Sequence, residues 1–302
     1  MRDRVTASSI GLVFFLSILQ LSACVVLEQL QEPSIKAAAP VDHGDFIEGT
    51  YWALIIGTDM YSRMDKDKQL TVARKDAEAV AALLVERYGF QKEHMVELYD
   101  ESATRTRIIE AFNSLKQRLT DKDSLFIYYA GQGDHEGDKP EVSFGYWLPS
   151  DARLDDPASY IFNSQVSDYW RVIPARHIYA VVDSEFSGSL MGRIGRLGKG
   201  AIKELYQEKS RWVLTSGGHY PVPDVADKSK NGHSAFAWHF MRVLEENTSP
   251  YLLAKDIAAP VAIGVSAEVF GLLPRSAPVV QAGDKGGQFV FRLKKEFQKQ
   301  IP

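Results

Sequence analysis

Two stretches of the chain decide its fold. The first is Leu125-Phe-Ile-Tyr-Tyr-Ala130, which runs directly into Gly131-Gln-Gly-Asp-His-Glu136; the second is Ile178-Tyr-Ala-Val-Val182, which runs into Asp183-Ser-Glu-Phe-Ser-Gly188. Each begins as a short run of apolar and aromatic residues, which is typical of a strand buried on both faces of a parallel sheet. Each then becomes polar. Because ligands of open α/β sheets bind beyond the carboxyl ends of the strands, we expect a functional site at these two polar segments.

The surrounding sequence alternates between strand and helix patterns. Short apolar runs predict strands, and apolar residues that recur every three or four positions predict helices. The predicted strands span 51–56, 94–99, 125–130, 178–182, 212–214 and 289–291, and the predicted helices span 70–84, 108–119 and 236–244. This alternation predicts a three-layer α/β/α fold with a mainly parallel sheet of about six strands. No linker interrupts the pattern, so we expect one domain over 49–296 and a C-terminal tail over 297–302.

The composition is that of a globular protein, and it narrows the classes of partner. The 302 residues are 45% hydrophobic and 25% charged, and the formal net charge is −4. A small negative net charge without a cluster of basic residues does not favour binding to nucleic acid. Cys24 is the only cysteine, which excludes an internal disulfide and a thiolate metal cluster. No P-loop motif is present, and we expect neither a cofactor nor a metal ion.

The N-terminus has the pattern of an export signal. Arg2 and Arg4 precede the apolar run Ile10–Leu19, and Leu21-Ser-Ala-Cys24 follows it. This ending resembles a bacterial lipoprotein signal, which implies cleavage before Cys24 and lipidation of that cysteine; the alternative is an ordinary secretory signal. We therefore expect a signal peptide over 1–23, a lipidated tether over 24–48, and attachment to the bacterial cell envelope. Since Asp does not follow Cys24, the periplasmic face of the outer membrane is favoured if the source is Gram-negative.

The two polar strand ends also carry a family resemblance. Tyr128-Tyr-Ala-Gly-Gln-Gly133 and Asp183-Ser-Glu-Phe-Ser-Gly188 resemble the active-site segments of the bacterial caspase-like cysteine peptidases, which are related to metacaspases and orthocaspases. Those segments read Tyr-Tyr-Ala-Gly-His-Gly and Asp-Ser-Cys-Phe-Ser-Gly in the family. Similar segments cover 51–293 in the family's order, and they include 88–90, 145–151, 210–218, 232–236 and 287–291. The resemblance implies a caspase-like fold.

The catalytic pair departs from the family pattern. Gln132 stands at the position of the catalytic histidine, and Glu185 stands at the position of the cysteine nucleophile. Peptide cleavage by this family needs a thiolate nucleophile and an imidazole that moves protons. Glutamine does not titrate, and a carboxylate is a much poorer acyl-transfer nucleophile than a thiolate. We therefore expect a pseudo-peptidase that binds a polypeptide partner without cleaving it.

The resemblance also points to a substrate pocket. Relatives that cleave after Arg or Lys use acidic residues to hold the substrate's cation, including the Asp two positions before the nucleophile. Asp183 stands at that position, and Asp151 is a candidate for a second wall, with Ser184 and Gly133 as further pocket candidates. Two carboxylates suit the planar fork of a guanidinium. The alternative is that both aspartates serve hydrogen bonds within loops.

Two other functions remain open at this point. One is a hydrolase with altered chemistry, in which His135 works with Ser184 or Ser187. Its metal-dependent variant would use a carboxylate cluster drawn from Asp134, Glu136, Asp138, Asp183 and Glu185. The other is a structural scaffold without a working groove.

The remaining notable residues receive simpler interpretations. His219, His233 and His239 are too loosely spaced for a metal triad, and we expect structural roles for them. Arg193, Arg196 and Lys199 lie in a Gly-rich stretch that another protease could cut, as occurs in some relatives.

Overall fold

A six-stranded sheet forms the centre of the fold. The computed structural model of the chain describes residues 46–136, 144–184, 202–217 and 230–299. In chain order its strands are β1 (Tyr51–Gly57), β2 (Met95–Tyr99), β3 (Ser124–Ala130), β7 (His177–Asp183), β8 (Ser210–Thr215) and β10 (Arg275–Pro278). Their order across the sheet is β10-β8-β7-β3-β1-β2, in which β1, β2, β3, β7 and β8 run parallel and β10 lies antiparallel at one edge.

Strand β3 shows why the sheet is covered on both faces. All seven of its residues are buried, and successive side chains point to opposite faces. Phe126, Tyr128 and Ala130 enter one hydrophobic cluster, whereas Leu125, Ile127 and Tyr129 enter a second one on the other face. A strand between two apolar layers has no polar face, which explains the uninterrupted apolar run in its sequence.

Helices form the outer layers, as predicted. The helices are α1 (Ala73–Arg87), α2 (Arg105–Arg118), α3 (Asn163–Val172), α4 (Ile202–Gln207), α5 (Ala235–Glu246) and α6 (Ala254–Glu268). Apolar residues of α1, α5 and α6 belong to the first cluster, and those of α2 and α3 belong to the second. The three-layer α/β/α fold with a mainly parallel sheet of six strands is therefore confirmed. Among the described residues, no helix is both long and apolar enough to cross a membrane.

The sixth strand of the sheet is not the predicted one. The predicted final strand at 289–291 corresponds to β11 (Val290–Arg292), which pairs antiparallel with β9 (Tyr251–Leu253) in a separate two-stranded sheet. The sixth strand of the main sheet is β10, which lies at its edge. With an exposed Arg275 and a terminal Pro278, this strand lacks the apolar run of the central strands, and only an edge position tolerates such a sequence.

Three helices and a small sheet were also absent from the prediction. Helices α3 and α4 are short, and α6 contains Pro260, a residue that normally marks the end of a helix. A three-stranded antiparallel sheet, β4 (Gly133–Glu136), β5 (Phe144–Trp147) and β6 (Ile161–Phe162), follows the end of β3.

The folded region extends slightly beyond the predicted boundaries of 49 and 296. The Phe46 ring packs against Tyr206 and Tyr251, with ring centroids 5.5 and 4.8 Å apart. At the other end, the guanidinium of Arg87 lies over the Phe297 ring, 4.3 Å from its centroid. Aromatic contacts therefore include residues that the sequence assigned to the tether and the tail. The predicted signal peptide and Cys24 lie outside the described residues.

Candidate functional site

A polar cavity of about 390 Å³ lies at the carboxyl ends of β3 and β7. Its walls come from four parts of the chain: residues 67, 69–73 and 76, residues 130–132, residues 183–184, and Ser234. The sequence predicted a site at the ends of these two strands, and the cavity lies there. Because the paired ends of β3 and β7 place Ala130 opposite Asp183, both predicted polar segments reach the same cavity.

Asp183 is the predicted pocket acid, and the structure places it on the cavity wall. It is the last residue of β7 and is partly buried. Its Oδ2 accepts a hydrogen bond of 2.9 Å from the hydroxyl of Ser234. That hydroxyl also accepts from the backbone N–H of Ala237, so Ser234 is the N-cap of α5. Ser184, a further pocket candidate, lies beside Asp183 on the same wall.

Asp76 supplies a second carboxylate, which the sequence analysis did not single out. Its side chain is fully buried in the first turn of α1. His233 Nδ1 lies 2.6 Å from its Oδ1, and the backbone N–H of Ser234 donates to its Oδ2 at 3.2 Å. The structural role predicted for His233 thus takes a definite form, a buried pair with Asp76. His239, assigned the same kind of role, pairs with Glu268 on α6.

Tyr128 lies within the electrostatic reach of both carboxylates. Its hydroxyl is buried and has no hydrogen-bond partner among the described residues. Burial raises the pKa of this phenol well above its usual value, and the negative charges of Asp76 and Asp183 raise it further. The phenol therefore stays protonated and adds no charge to this region.

Gln132 forms part of the cavity wall as a fixed, non-titrating residue. Its side-chain amide donates to the carbonyl of Lys68 at 3.0 Å, and its backbone N–H donates to the Tyr61 hydroxyl at 2.6 Å. Its backbone carbonyl accepts a hydrogen bond from the Tyr129 hydroxyl at 2.6 Å. An amide side chain cannot exchange a proton near neutral pH. The position where the resemblance implies a general base is thus occupied by a residue whose hydrogen bonds connect neighbouring parts of the fold.

Asp151 lies in a different environment from the one expected. Its Oδ1 accepts from the backbone N–H of Arg105 at 2.8 Å, at the first residue of α2. It does not line the cavity with Asp183. A carboxylate at a helix N-terminus satisfies a backbone donor and complements the helix dipole. The structure therefore corresponds to the alternative in which this aspartate serves a loop hydrogen bond.

The structure places His135 and Ser184 in different surroundings, and Ser187, the other predicted partner of His135, lies outside the described residues. His135 lies on β4 in the three-stranded sheet, where its Nδ1 is 3.3 Å from Asp134 Oδ1. It is not part of the cavity wall, whereas Ser184 is. Gly133, the last pocket candidate, is paired with Trp147 within the same small sheet.

Several predicted residues fall outside the described parts of the chain. These are Cys24, Asp138, Glu185, Ser187, Arg193, Arg196, Lys199 and His219, and the side chain of Glu136 is not described either. Within the described residues, no three His, Cys, Asp or Glu side chains are grouped closely enough to hold a metal ion.

Two residues of the site were not predicted, and only one of them, Ser234, has a recognisable signal in the sequence. Ser234 precedes the predicted helix at 236–244, and a serine at that position is a typical N-cap. Asp76 lies inside a predicted helix, where an acidic residue is ordinarily solvated. Only the return of the chain at His233, 157 positions later, buries it.

Comparison with known proteins finds similarity to the caspase domain. The family model described as the caspase domain (Peptidase_C14) matches residues 50–268. Metacaspase-1A of Neurospora crassa is 30% identical over 188 residues, which are 57% of this chain and 40% of that protein. Metacaspase-1 of Cryptococcus neoformans is 29% identical over 213 residues, 64% of this chain and 45% of that protein. The chain thus spans less than half the length of these curated relatives.

A solved structure gives independent support for the fold. A protein from Geobacter sulfurreducens superimposes with a TM-score of 0.53 at 16% identity, and the match covers 84% of this chain and 98% of that one. At this identity the likeness concerns the fold alone.

Proposed function

Because the chain belongs to the caspase-domain family, we propose that it is a member that holds a basic side chain of a polypeptide in its acidic cavity without cleaving the polypeptide. One observation carries the proposal: an acidic cavity whose wall has Gln132 at the position where the family resemblance implies the catalytic histidine. The same cavity retains Asp183. Recognition and cleavage are thereby separable in this chain.

The loss of cleavage follows from the chemistry of two positions. Attack on a peptide carbonyl by this family requires a thiolate and a group that delivers a proton to the leaving amine. Gln132 supplies no such group, and Cys24, the only cysteine, belongs to the N-terminal segment and not to the domain. Glu185, at the nucleophile position, carries a carboxylate, and an acyl-carboxylate product would be an unstable anhydride.

The charge of the cavity favours a cationic guest. Asp183 and Asp76 both line it, and Asp67 contributes a third carboxylate. A guanidinium presents several donors in a plane, and charge-assisted hydrogen bonds to carboxylates are stronger than neutral ones. An acidic peptide side chain would meet only repulsion there. We therefore propose an Arg- or Lys-containing segment as the ligand.

Titration calorimetry on the full chain tests this proposal. The ligands are four matched peptides that differ at one residue: Arg, Lys, the uncharged Arg isostere citrulline, and Asp. Saturable binding of the Arg and Lys peptides, at least tenfold tighter than the citrulline peptide, is expected. Asp183→Asn should lower Arg-peptide affinity about tenfold, whereas the control Asp151→Asn should leave it unchanged. Equal affinity for Arg and citrulline peptides overturns the proposed pocket.

Mass spectrometry of the same mixtures tests the absence of cleavage. Intact peptides after long incubation are expected for the wild-type chain. Cleavage that disappears in Ser184→Ala or His135→Ala would instead establish a hydrolase with altered chemistry. If no peptide binds, the scaffold function is favoured and its partners contact other surfaces. The paired reversion Gln132→His with Glu185→Cys is expected to introduce cleavage after the basic residue, since it restores both groups that the chemistry needs.

We also propose that the domain is attached to the cell envelope through a lipid on Cys24. The N-terminal sequence supports this placement through its basic start, its apolar run and the Leu21-Ser-Ala-Cys24 ending. Metabolic labelling with a fatty acid should mark the wild-type chain and leave Cys24→Ser unlabelled. Labelling of both proteins equally would exclude this site.

A further inference from the structure

Residues 230–234 form a segment whose side chains and backbone contact α1, α6 and β7. Asn231 and Gly232 both adopt left-handed backbone conformations, with φ of 55° and 76°, and so turn the chain sharply before α5. Lys230 Nζ lies 3.0 Å from Glu268 Oε2 on α6, and Lys75 on α1 donates from its ammonium to the Asn231 carbonyl. The segment thus bridges two helices at the edge of the cavity.

The far end of this segment contacts two of the three cavity carboxylates, Asp76 and Asp183. His233 Nδ1 and the Ser234 backbone N–H bind the two oxygens of Asp76, while the Ser234 hydroxyl donates to Asp183. Asp76 is fully buried and Ser234 is 4% exposed. Two aspartates from different elements, α1 and β7, are therefore linked through adjacent residues of one turn.

We infer that His233 is a positioning residue for the cavity: its bond to Asp76 holds Ser234 in the place from which the Ser234 hydroxyl orients the Asp183 carboxylate. The inference rests on the proposed function, because it assigns the discrimination for a basic side chain to a residue that does not line the cavity. Asp183 supplies the charge, and the pair of Asp76 and His233 determines where that charge points.

The physical reason lies in the burial of Asp76. A buried carboxylate that loses a hydrogen-bond donor bears a desolvation cost, which it reduces by drawing water or other donors toward itself. Without His233, Asp76 retains only the Ser234 backbone N–H among these two partners. The turn then shifts to satisfy Asp76, and the Ser234 hydroxyl leaves the position required by Asp183. A guanidinium bound at fixed carboxylate oxygens is sensitive to such a shift.

Three variants of the full chain test this role. His233→Ala removes the donor, His233→Asn keeps a donor amide near the position of Nδ1, and His94→Ala removes a half-buried histidine near the amino end of β2 as a matched control. The readout is the ratio of affinities for the Arg and citrulline peptides. We expect the ratio to fall about tenfold in His233→Ala, to recover in His233→Asn, and to stay at the wild-type value in His94→Ala.

A ligand-free readout separates this inference from the proposed function. Hydrogen exchange at the Ser234 and Ala237 amides should become faster in His233→Ala and remain slow in His233→Asn and His94→Ala. Unchanged exchange in His233→Ala would show that His233 does not hold Ser234, and an unchanged ratio of Arg-peptide to citrulline-peptide affinity would overturn the positioning role. If the wild-type chain binds neither peptide, the proposed function fails, and the exchange rates still decide whether His233 holds Ser234.

Discussion

The side-chain amide of Gln132 donates a 3.0 Å hydrogen bond to the carbonyl of Lys68, which lies 64 positions earlier in the chain. Lys68 belongs to the segment that enters α1, and residues 67 and 69–73 of that segment line the cavity. Gln69 secures the same segment from the other side, because its side-chain amide donates to the carbonyls of Tyr61, Met64 and Asp65. Two glutamines therefore hold this wall of the cavity in place.

Gln132→Ala should loosen the wall without unfolding the domain. The variant removes one partly exposed hydrogen bond, so we expect a loss of about 0.5–1.5 kcal/mol in the free energy of unfolding. Hydrogen exchange over residues 66–71 should become faster, while β3 itself remains protected. Gln117→Ala on the exposed face of α2 is the matched control and should change neither quantity. Unaltered exchange over 66–71 would show that Gln132 does not hold this wall.

The fold could be predicted from the sequence where burial alone shapes the pattern. The runs at 125–130 and 178–182 are buried on both faces. Such strands consist of uninterrupted apolar residues, so they can be recognised in the sequence without knowledge of their tertiary contacts. Strand β10 has no such apolar run. Its Arg275 is exposed and its Pro278 suggests a loop, and only its pairing with β8 makes it a strand. The same holds for α6, whose Pro260 argues locally against a helix.

The candidate site was predictable only where a functional residue is adjacent in sequence to a recognisable strand end. Asp183 is the last residue of β7, and it lies on the cavity wall. Asp76 and His233 could not be paired, because 157 positions separate them and neither is unusual in its local sequence. Asp151 shows the opposite difficulty. Its segment resembles the family's, yet its side chain is used by the α2 N-terminus.

Arg211 is a buried cation that the sequence analysis did not single out, although a charge inside the apolar run of β8 was a visible signal. Its guanidinium donates five hydrogen bonds to carbonyl oxygens, those of Trp170, Ile173, Ala175, Arg176 and Ser210. These carbonyls lie at the end of α3, in the turn that follows it, and at the start of β8. Burial lowers the pKa of Arg211 to about 10, so the group remains charged at neutral pH.

Arg211→Met should destabilise the domain by at least about 3 kcal/mol, because it leaves several buried carbonyls without donors. Arg211→Lys should recover only part of this loss, since an ammonium has three donors and lacks the planar fork. The measurement is urea unfolding, with Arg171→Met as the control. Arg171 is 58% exposed and paired with Asp168, and its loss should cost under about 1 kcal/mol. Equal losses for both residues would contradict the assigned role of Arg211.

Asp151→Ala should reduce stability and leave ligand discrimination intact. Its carboxylate accepts from the first backbone N–H of α2, a contact of the kind that contributes about 1 kcal/mol at helix N-termini. We expect a loss of that size in thermal or urea unfolding, with Asp151→Asn close to the wild-type value because the amide oxygen still accepts. The ratio of Arg-peptide to citrulline-peptide affinity should not change. A selective fall in Arg-peptide affinity would instead return Asp151 to the pocket.

His177 should make the stability of the domain depend on pH in a direction fixed by its burial. Its side chain is fully buried, and burial lowers its pKa to about 3. A hydrogen bond with the backbone of Tyr206 opposes this decrease in the pKa, and the charges of Arg176 and Arg211 add to it. The unfolded chain takes up a proton near pH 6.5, whereas the folded chain does not until about pH 3. The contribution of neutral His177 to the free energy of unfolding is therefore fully present above about pH 6.5, the pKa in the unfolded chain, and is lost as the pH falls toward 3.

Between pH 7 and pH 5, His177 should lower the free energy of unfolding by about 2 kcal/mol, because each pH unit below pH 6.5 costs about 1.4 kcal/mol. His177→Asn removes the titration and keeps a side-chain amide able to bond with Ser210, whose hydroxyl lies 2.8 Å from Nδ1. Urea unfolding at pH 7 and pH 5 should show a smaller decrease for this variant than for the wild-type chain, by about that amount. His94→Asn, which changes a partly exposed histidine, serves as the control. Parallel decreases in the wild type and His177→Asn would mean that His177 is protonated within the folded domain.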